Sequence, residues 1–336
     1  MVDLKVPYEE LVGVLNKILL KRNFSRGRAY LSATLFAKAN LDGVASHGLN
    51  RFPHYLQMIS EGCINVNAEP EQTGSFGPFE RWDGKLGPGN LNAHFCMKRA
   101  ISAAKAHGMG CVTLRNTNHW MRGGNFGWQA VEKDCLGICF TNTKPNMPAW
   151  GGKEAKLGNN PLIVAIPRKK NPVVLDMALS QFSYGKINTY LKNKESLPYD
   201  GGFDQDGNLT RDPQKIMEKE LALPAGLWKG AGLSLVLDIL VSVLSEGHST
   251  YEIGKHKEEY GISQFFLCFY LPKLGITAYP EEKIDEIIEN FKSSSVFGSA
   301  KVRFPGENTL STRRYNLENG IPVDPDIWES VLEEIR

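Results

Sequence analysis

Over the first seventy residues, apolar positions recur every three or four places. Leu11, Val14, Leu15, Ile18 and Leu19 share one face of a segment at 7–22 that opens with Pro7 and two glutamates, the pattern of an amphipathic helix. RAYLSATLFAKANL (28–41) repeats it. A third helix is expected from about residue 50 to 60, because Pro53 is tolerated only in a first turn and Gly62 stands where the helix would end. From residue 75 the texture changes to glycine and β-rich runs: MGCVTLRN (109–116), LGICFTNT (136–143), NPLIVAIP (160–167) and NPVVLDMA (171–178). Helical segments are expected between some of them, at 90–107, ending in a His-Gly C-cap, and at 125–133. A strongly apolar helix follows Ala231 and stops at Gly247, and ISQFFLCFYL (262–271) reads as a buried strand. Helices at about 280–293 and from Asp324 onward close the chain. The expectation is a helical segment at 1–75, a central α/β domain at 76–271 and a helical segment at 272–336.

Composition narrows this picture only a little. The 336 residues suffice for about two domains at roughly 150 residues each, or for one large α/β unit. Formal net charge is +2, from 39 basic and 37 acidic side chains, too balanced for a nucleic-acid or membrane-surface protein. The six cysteines form no CxxC pair, and most lie in apolar runs, as reduced, buried thiols do. The first 22 residues are charged throughout, unlike a signal peptide. The apolar run Ala231–Ser245 is short for a bilayer and carries Asp238. A cytosolic protein is expected.

Among chemical motifs, absences come first. The chain has no GxGxxG, GxxxxGK[ST], HExxH or GxSxG. YDGGFDQDGNLT (199–210) hints at calcium, but its glycines are misplaced and no glutamate closes a twelve-residue loop, so a surface turn is expected. In LWKGAGLSLVLDIL (227–240), Gly230 and Gly232 open a helix with Lys229 just before its first turn. Such a terminus either binds an anion or merely allows a buried helix to pack closely.

DGVASHGLNRFP (42–53) interrupts two helices with Gly43, Gly48 and Pro53, and holds His47 four positions before Arg51. Histidine exchanges protons near neutrality, and the arginine fork fits a carboxylate. An acid beside a carboxylate clamp is what reduction of a 2-keto acid needs, although a lone loop histidine can equally be a cap or a surface residue. RNTNHWMRGGNFGW (115–128) follows a strand and offers Asn116, Asn118, His119 and Arg122 on a loop containing Gly123 and Gly124; alternatively, Trp120 and Trp128 pack there and the polar groups face water. His54 reads simply as part of the third helix. Asp176 ends an apolar strand, where it could hold a ribose hydroxyl, orient a histidine or cap a turn. RFPGEN (303–308) supplies a proline-glycine turn to which spacing alone gives no function.

SHG with its arginine, NTNHWMRGG, GNNPLIVAIP, VVLDMA, WKGAGLS and the late PGE turn occur in this order over nearly the whole chain. Together they resemble the NAD(P)-dependent malate/L-lactate dehydrogenases that lack a Rossmann fold. HWMRGGNFGWQA and FSYGK resemble, within that family, the branch that reduces a 2,3-diketo sugar acid; dehydrogenases for malate, lactate or ureidoglycolate are the alternatives. A rival of another class is a non-catalytic protein binding an anionic metabolite through Lys229 and Arg51.

The resemblance implies a non-Rossmann α/β fold, with a central mixed sheet and a helical part in which 1–75 packs with 272–336. It implies a homodimer, with no nucleic-acid or membrane partner, and NAD as cofactor (NADH, with NADPH possible). His47 would be the proton donor, with His119 as the competing acid/base. Arg51 would clamp the substrate carboxylate, with Ser46 beside it. Cofactor would lie along Val174, Leu175, Asp176, Met177 and Ala178, reached by Trp228 and Lys229 and closed over by Gly306, Glu307 and Asn308. Some relatives carry a histidine where this chain has Glu307, and a cofactor-contacting lysine matches Lys144 only loosely. No metal is implied.

Overall fold

The computed structural model describes residues 4–276, 280–299 and 301–336. The three N-terminal helices form at Tyr8–Lys21, Arg26–Leu41 and Phe52–Ser60. Leu11, Leu15, Ile18, Phe36, Phe52 and Tyr55 make a common core, in which Phe36 meets Phe52 edge-on at 5.1 Å. The other end of the chain completes that core. Ile321, Val323, Trp328 and Val331 are buried in it, and Lys5–Val6 pairs antiparallel with Ile321–Pro322.

The centre is a seven-stranded mixed sheet. Its order is Glu71–Phe76, Phe79–Asp83, Met109–Thr117, Ile262–Tyr270, Cys135–Thr141, Leu162–Ile166, Val173–Met177. One neighbouring pair, Phe79–Asp83 with Met109–Thr117, is parallel, and the helix Gly89–His107 makes the crossover such a pair requires. The other neighbours are antiparallel. Strand alternation feeds two cores. Phe266 and Cys268 pack with Met97 and Phe126 on one face, while Phe265 packs with Leu237 and Val241 of the Trp228–Ser245 helix on the other.

Several elements differ from the sequence expectation. The hairpin 71–83 escapes a periodicity search because its outer strand, EQTGSF, is polar and open to solvent on both faces. The helices Tyr184–Asn193 and Pro213–Lys219 contribute little buried surface, which leaves no apolar stripe to read. RFPGEN is not a free-standing turn. Gly306, at φ +92°, is the N-cap of a helix Glu307–Asn319 whose sequence is polar all round. The apolar helix begins at Trp228, so Lys229 sits inside its first turn rather than before it. That helix, eighteen residues long, would satisfy a membrane span by length and composition. Its Asp238 is held by the protein, accepting from Asn142 Nδ2 and the Thr250 amide at 2.9 Å each. The Asp-rich stretch is a small hairpin, Gly202–Phe203 with Leu209–Thr210, and Asp204 accepts the Asp206 and Asn208 amides that shape its turn.

Candidate active site

The glycines around His47 act as anticipated from the sequence. Gly43, at φ +81°, takes the left-handed conformation that ends the second helix. A Cβ on Gly48 would lie 1.9 Å from Asn40 Oδ1. The backbone therefore leaves the helix, forms short 3₁₀ turns at Ala45–His47 and Leu49–Arg51, and re-enters a helix at Phe52. His47 and Arg51 sit on those turns. His119 comes from the loop after the Met109–Thr117 strand, and its ring stacks against that of His47 at 5.9 Å and 21°.

The two histidines, Arg51 and Ser46 share one cavity of about 900 Å³, toward the upper end of the range for small-molecule sites. Ser46 Oγ is 3.0 Å from His47 Nδ1. The Met121 amide donates to His119 Nδ1 at 3.0 Å, so the neutral ring carries its proton on Nε2. Asp176 lines the same cavity. Its Oδ2 accepts the Gly124 amide at 3.1 Å and lies 3.4 Å from Arg122 Nε. Arg122 is anchored in turn by Asp42, which also accepts two bonds from Arg313 at 2.6 and 2.8 Å.

Burial holds both imidazoles below the ordinary histidine range. For His47, the Asp176 carboxylate opposes burial, while Arg51 and Arg122 add to it. For His119, burial is joined by Arg51, His47 and His54, and the ring is held well below that range. The unfolded chain would protonate these rings near pH ~6.5, whereas the folded chain resists protonation. Unfolding therefore takes up protons, and stability is expected to fall as pH drops below ~6.5, before the carboxylates titrate. Urea midpoints at several pH values check this, and replacing both histidines by glutamine should flatten the slope.

The other residues singled out in the sequence divide between the cavity and the rest of the chain. The loop 115–124 does not offer its amides to a ligand. Asn118 is buried and donates to the Cys63, Leu86 and Gly87 carbonyls, and Asn116 reaches Asp83. Gly123 and Gly124 serve close packing: a Cβ would lie 2.4 Å from Ile163 Cδ1 and from Asp176 Oδ2, respectively. Of the stretch 174–178, Asp176 and Ala178 line the cavity and Leu175 does not, while Val174 is buried and Met177 packs against the core cluster that includes Phe140. Gly306 lies against Val174, whose amide donates to Pro305 O at 3.0 Å. Trp228 and Lys229 are exposed, and Glu307 pairs with Lys292; with Asn308, these residues lie outside the cavity lining of a single chain. Sequence reasoning passed over His54, Asn146 and the run Lys257–Glu259, all of which line the cavity. His54 was findable: it falls three places after Arg51, one helical turn on, and so on the same face.

A description of the malate/L-lactate dehydrogenase family matches residues 6–332 of this sequence. The chain belongs to the malate/L-lactate dehydrogenase family. This family member is 42% identical over 331 residues to a 2,3-diketo-L-gulonate reductase from Citrobacter koseri, covering 98% of this chain and 99% of that one. Its fold matches a malate dehydrogenase from Pyrococcus horikoshii OT3 with a TM-score of 0.88 at 29% identity, covering 99% and 95% of the two chains. A sulfolactate dehydrogenase from Methanocaldococcus jannaschii matches with a TM-score of 0.86 at 29% identity, covering 99% and 96%. Membership makes the chain an oxidoreductase acting on CH–OH groups and implies a nicotinamide cofactor. The residues present fit one. Asn146 lines the cavity with a buried Oδ1 that has no partner among the described residues, and at Gly185 a Cβ would lie 2.4 Å from the Cβ of Ser46. Asn146, Asp176 and Ala178 would hold the group; bound, it supplies or accepts the hydride.

Proposed function

We propose that this protein reduces 2,3-diketo-L-gulonate at C2 to 3-keto-L-gulonate, drawing hydride from NADH. The observation that carries the proposal is the meeting of His47, His119 and Arg51 in one cavity, in a chain 42% identical to a reductase of that substrate. Arg51 enters into none of the ion pairs among the described residues, which leaves its fork for the C1 carboxylate. As hydride reaches C2, negative charge builds on the carbonyl oxygen. His47 gives its proton to that oxygen and regains one from water. Burial, Arg51 and Arg122 work against a proton on His47 and Asp176 works for it, whereas every group that acts on His119 works against one. This supports His47 as the acid, with His119 Nε2–H donating a hydrogen bond to the same oxygen.

Following NADH and NADPH oxidation with 2,3-diketo-L-gulonate, pyruvate, oxaloacetate and oxalurate tests the proposal. Turnover of any of the others well above the diketo acid would refute the substrate. The screen includes oxaloacetate because the Pyrococcus fold relative is a malate dehydrogenase.

The same proposal includes a homodimer. Leu235, Val236, Ile239 and Val243 leave one face of the Trp228–Ser245 helix exposed and apolar, a surface that self-association would cover. Light scattering should give twice the chain mass for the wild type and a monomer for Val243→Asp. A dimeric variant would move the interface elsewhere.

A further inference from the structure

We propose that His54 is a specificity-determining residue, whose ring hydrogen-bonds a hydroxyl of the substrate beyond C2 and so selects a polyhydroxylated 2-keto acid over a short or dicarboxylic one. The inference rests on the substrate reading above and deepens it.

The 3₁₀ turns and the helix that follows bring His47, Arg51 and His54 to one cavity wall, with Pro53 fixing the helix entry between the last two. Their neighbours give an order along that wall. His47 feels Asp176, Arg51 and Arg122; His119 feels Arg51, His47 and His54; His54 feels Arg51, Glu258 and Glu61. His54 thus lies beyond the histidine pair from Asp176, with Arg51 shared by all three imidazoles. A 2-keto acid held by its carboxylate at Arg51 and by its carbonyl at His47 must leave the Asp176–Ala178 side open for hydride. Its C3–C6 chain then runs the other way, along His54 and Glu258.

The groups facing His54 define what it can bind. On its own segment these are Arg51, Gln57 and Glu61; from the 257–259 run comes Glu258; from the 115–124 loop comes His119. Burial and Arg51 favour the neutral form of His54 while Gln57 engages one of its ring nitrogens, which leaves the other for a hydroxyl, a group that can donate or accept. A second carboxylate there would meet a neutral ring and the negative charge of Glu258. Pyruvate does not reach it.

The test compares kcat/KM of the full-length enzyme and its His54→Leu and His54→Gln variants with 2,3-diketo-L-gulonate, pyruvate and oxaloacetate. His54→Leu should lower kcat/KM for the diketo acid about tenfold or more, mainly through KM, with pyruvate changed less than about twofold. His54→Gln, which keeps a donor and an acceptor, should recover most of the loss. Should the leucine variant not fold, His54→Ala reads the same ratio. An equal loss with pyruvate, or no loss with the diketo acid, would overturn the role of His54. A wild-type preference for pyruvate or oxaloacetate would instead overturn the substrate reading, and the unmutated enzyme alone reveals it.

Discussion

His47→Gln is expected to lower kcat by at least ~10²-fold while leaving NADH affinity nearly unchanged. Glutamine preserves a hydrogen-bonding group of similar reach but has no proton to give. The substrate carboxylate would still find Arg51, so KM should move less than kcat. His119→Gln should cost less, because that ring contributes a hydrogen bond and not the transferred proton. Steady-state kinetics of both variants, with NADH binding followed by fluorescence, decide the matter. If His119→Gln proves the more damaging, the acid is His119. If neither variant loses rate, the transferred proton comes from another group.

The second large effect lies outside the cavity lining. Asp42→Ala is expected to destabilise the fold by about 3–5 kcal/mol, because it removes the carboxylate that pairs with two arginines at once and leaves Arg122 with Asp176 alone. Asp42 is 6% exposed and Arg122 3% exposed, and Arg313 makes two bonds to the same carboxylate. Against a typical total of about 5–15 kcal/mol, such a loss is readily measured as a lower urea midpoint. Catalysis should suffer as well, since Arg122 also sets the position of Asp176. A shift below ~1 kcal/mol would show that the pair network is tied to solvent more than its burial indicates.

Much of this molecule can be read from its residues. The helical face of Leu11, Leu15 and Ile18, and the strands MGCVTLRN and LGICFTNT, declare themselves because burial imposes a period on them. His47 and Arg51 stand out because breakers surround them. Asp42 opens the same stretch and shows nothing, since its partners are 80 and 271 residues away in sequence. The helix 307–319 is equally silent: one of its residues is buried, and that residue is an asparagine. Asn116 and Asn118 looked available to a ligand because polarity in a sequence does not reveal which polar groups the protein itself consumes. Two of the most useful positions are ordinary by composition: His54 shows only through its helical phase with Arg51, and Asn146 gains meaning only from the cavity it lines.

The sheet order carries a consequence for how the protein comes into being. Strand 262–270 inserts between 109–117 and 135–141, so the two halves of the sheet have no direct bond to one another. Synthesis must pass residue 270 before that keystone exists. Until then two bare strand edges flank a gap, the situation in which nascent chains pair with the wrong neighbour. Heavy reliance on long-range closure also predicts slow refolding. In cells, this protein should depend on chaperone protection late in synthesis, and fragments ending before residue 262 should aggregate rather than persist as soluble intermediates.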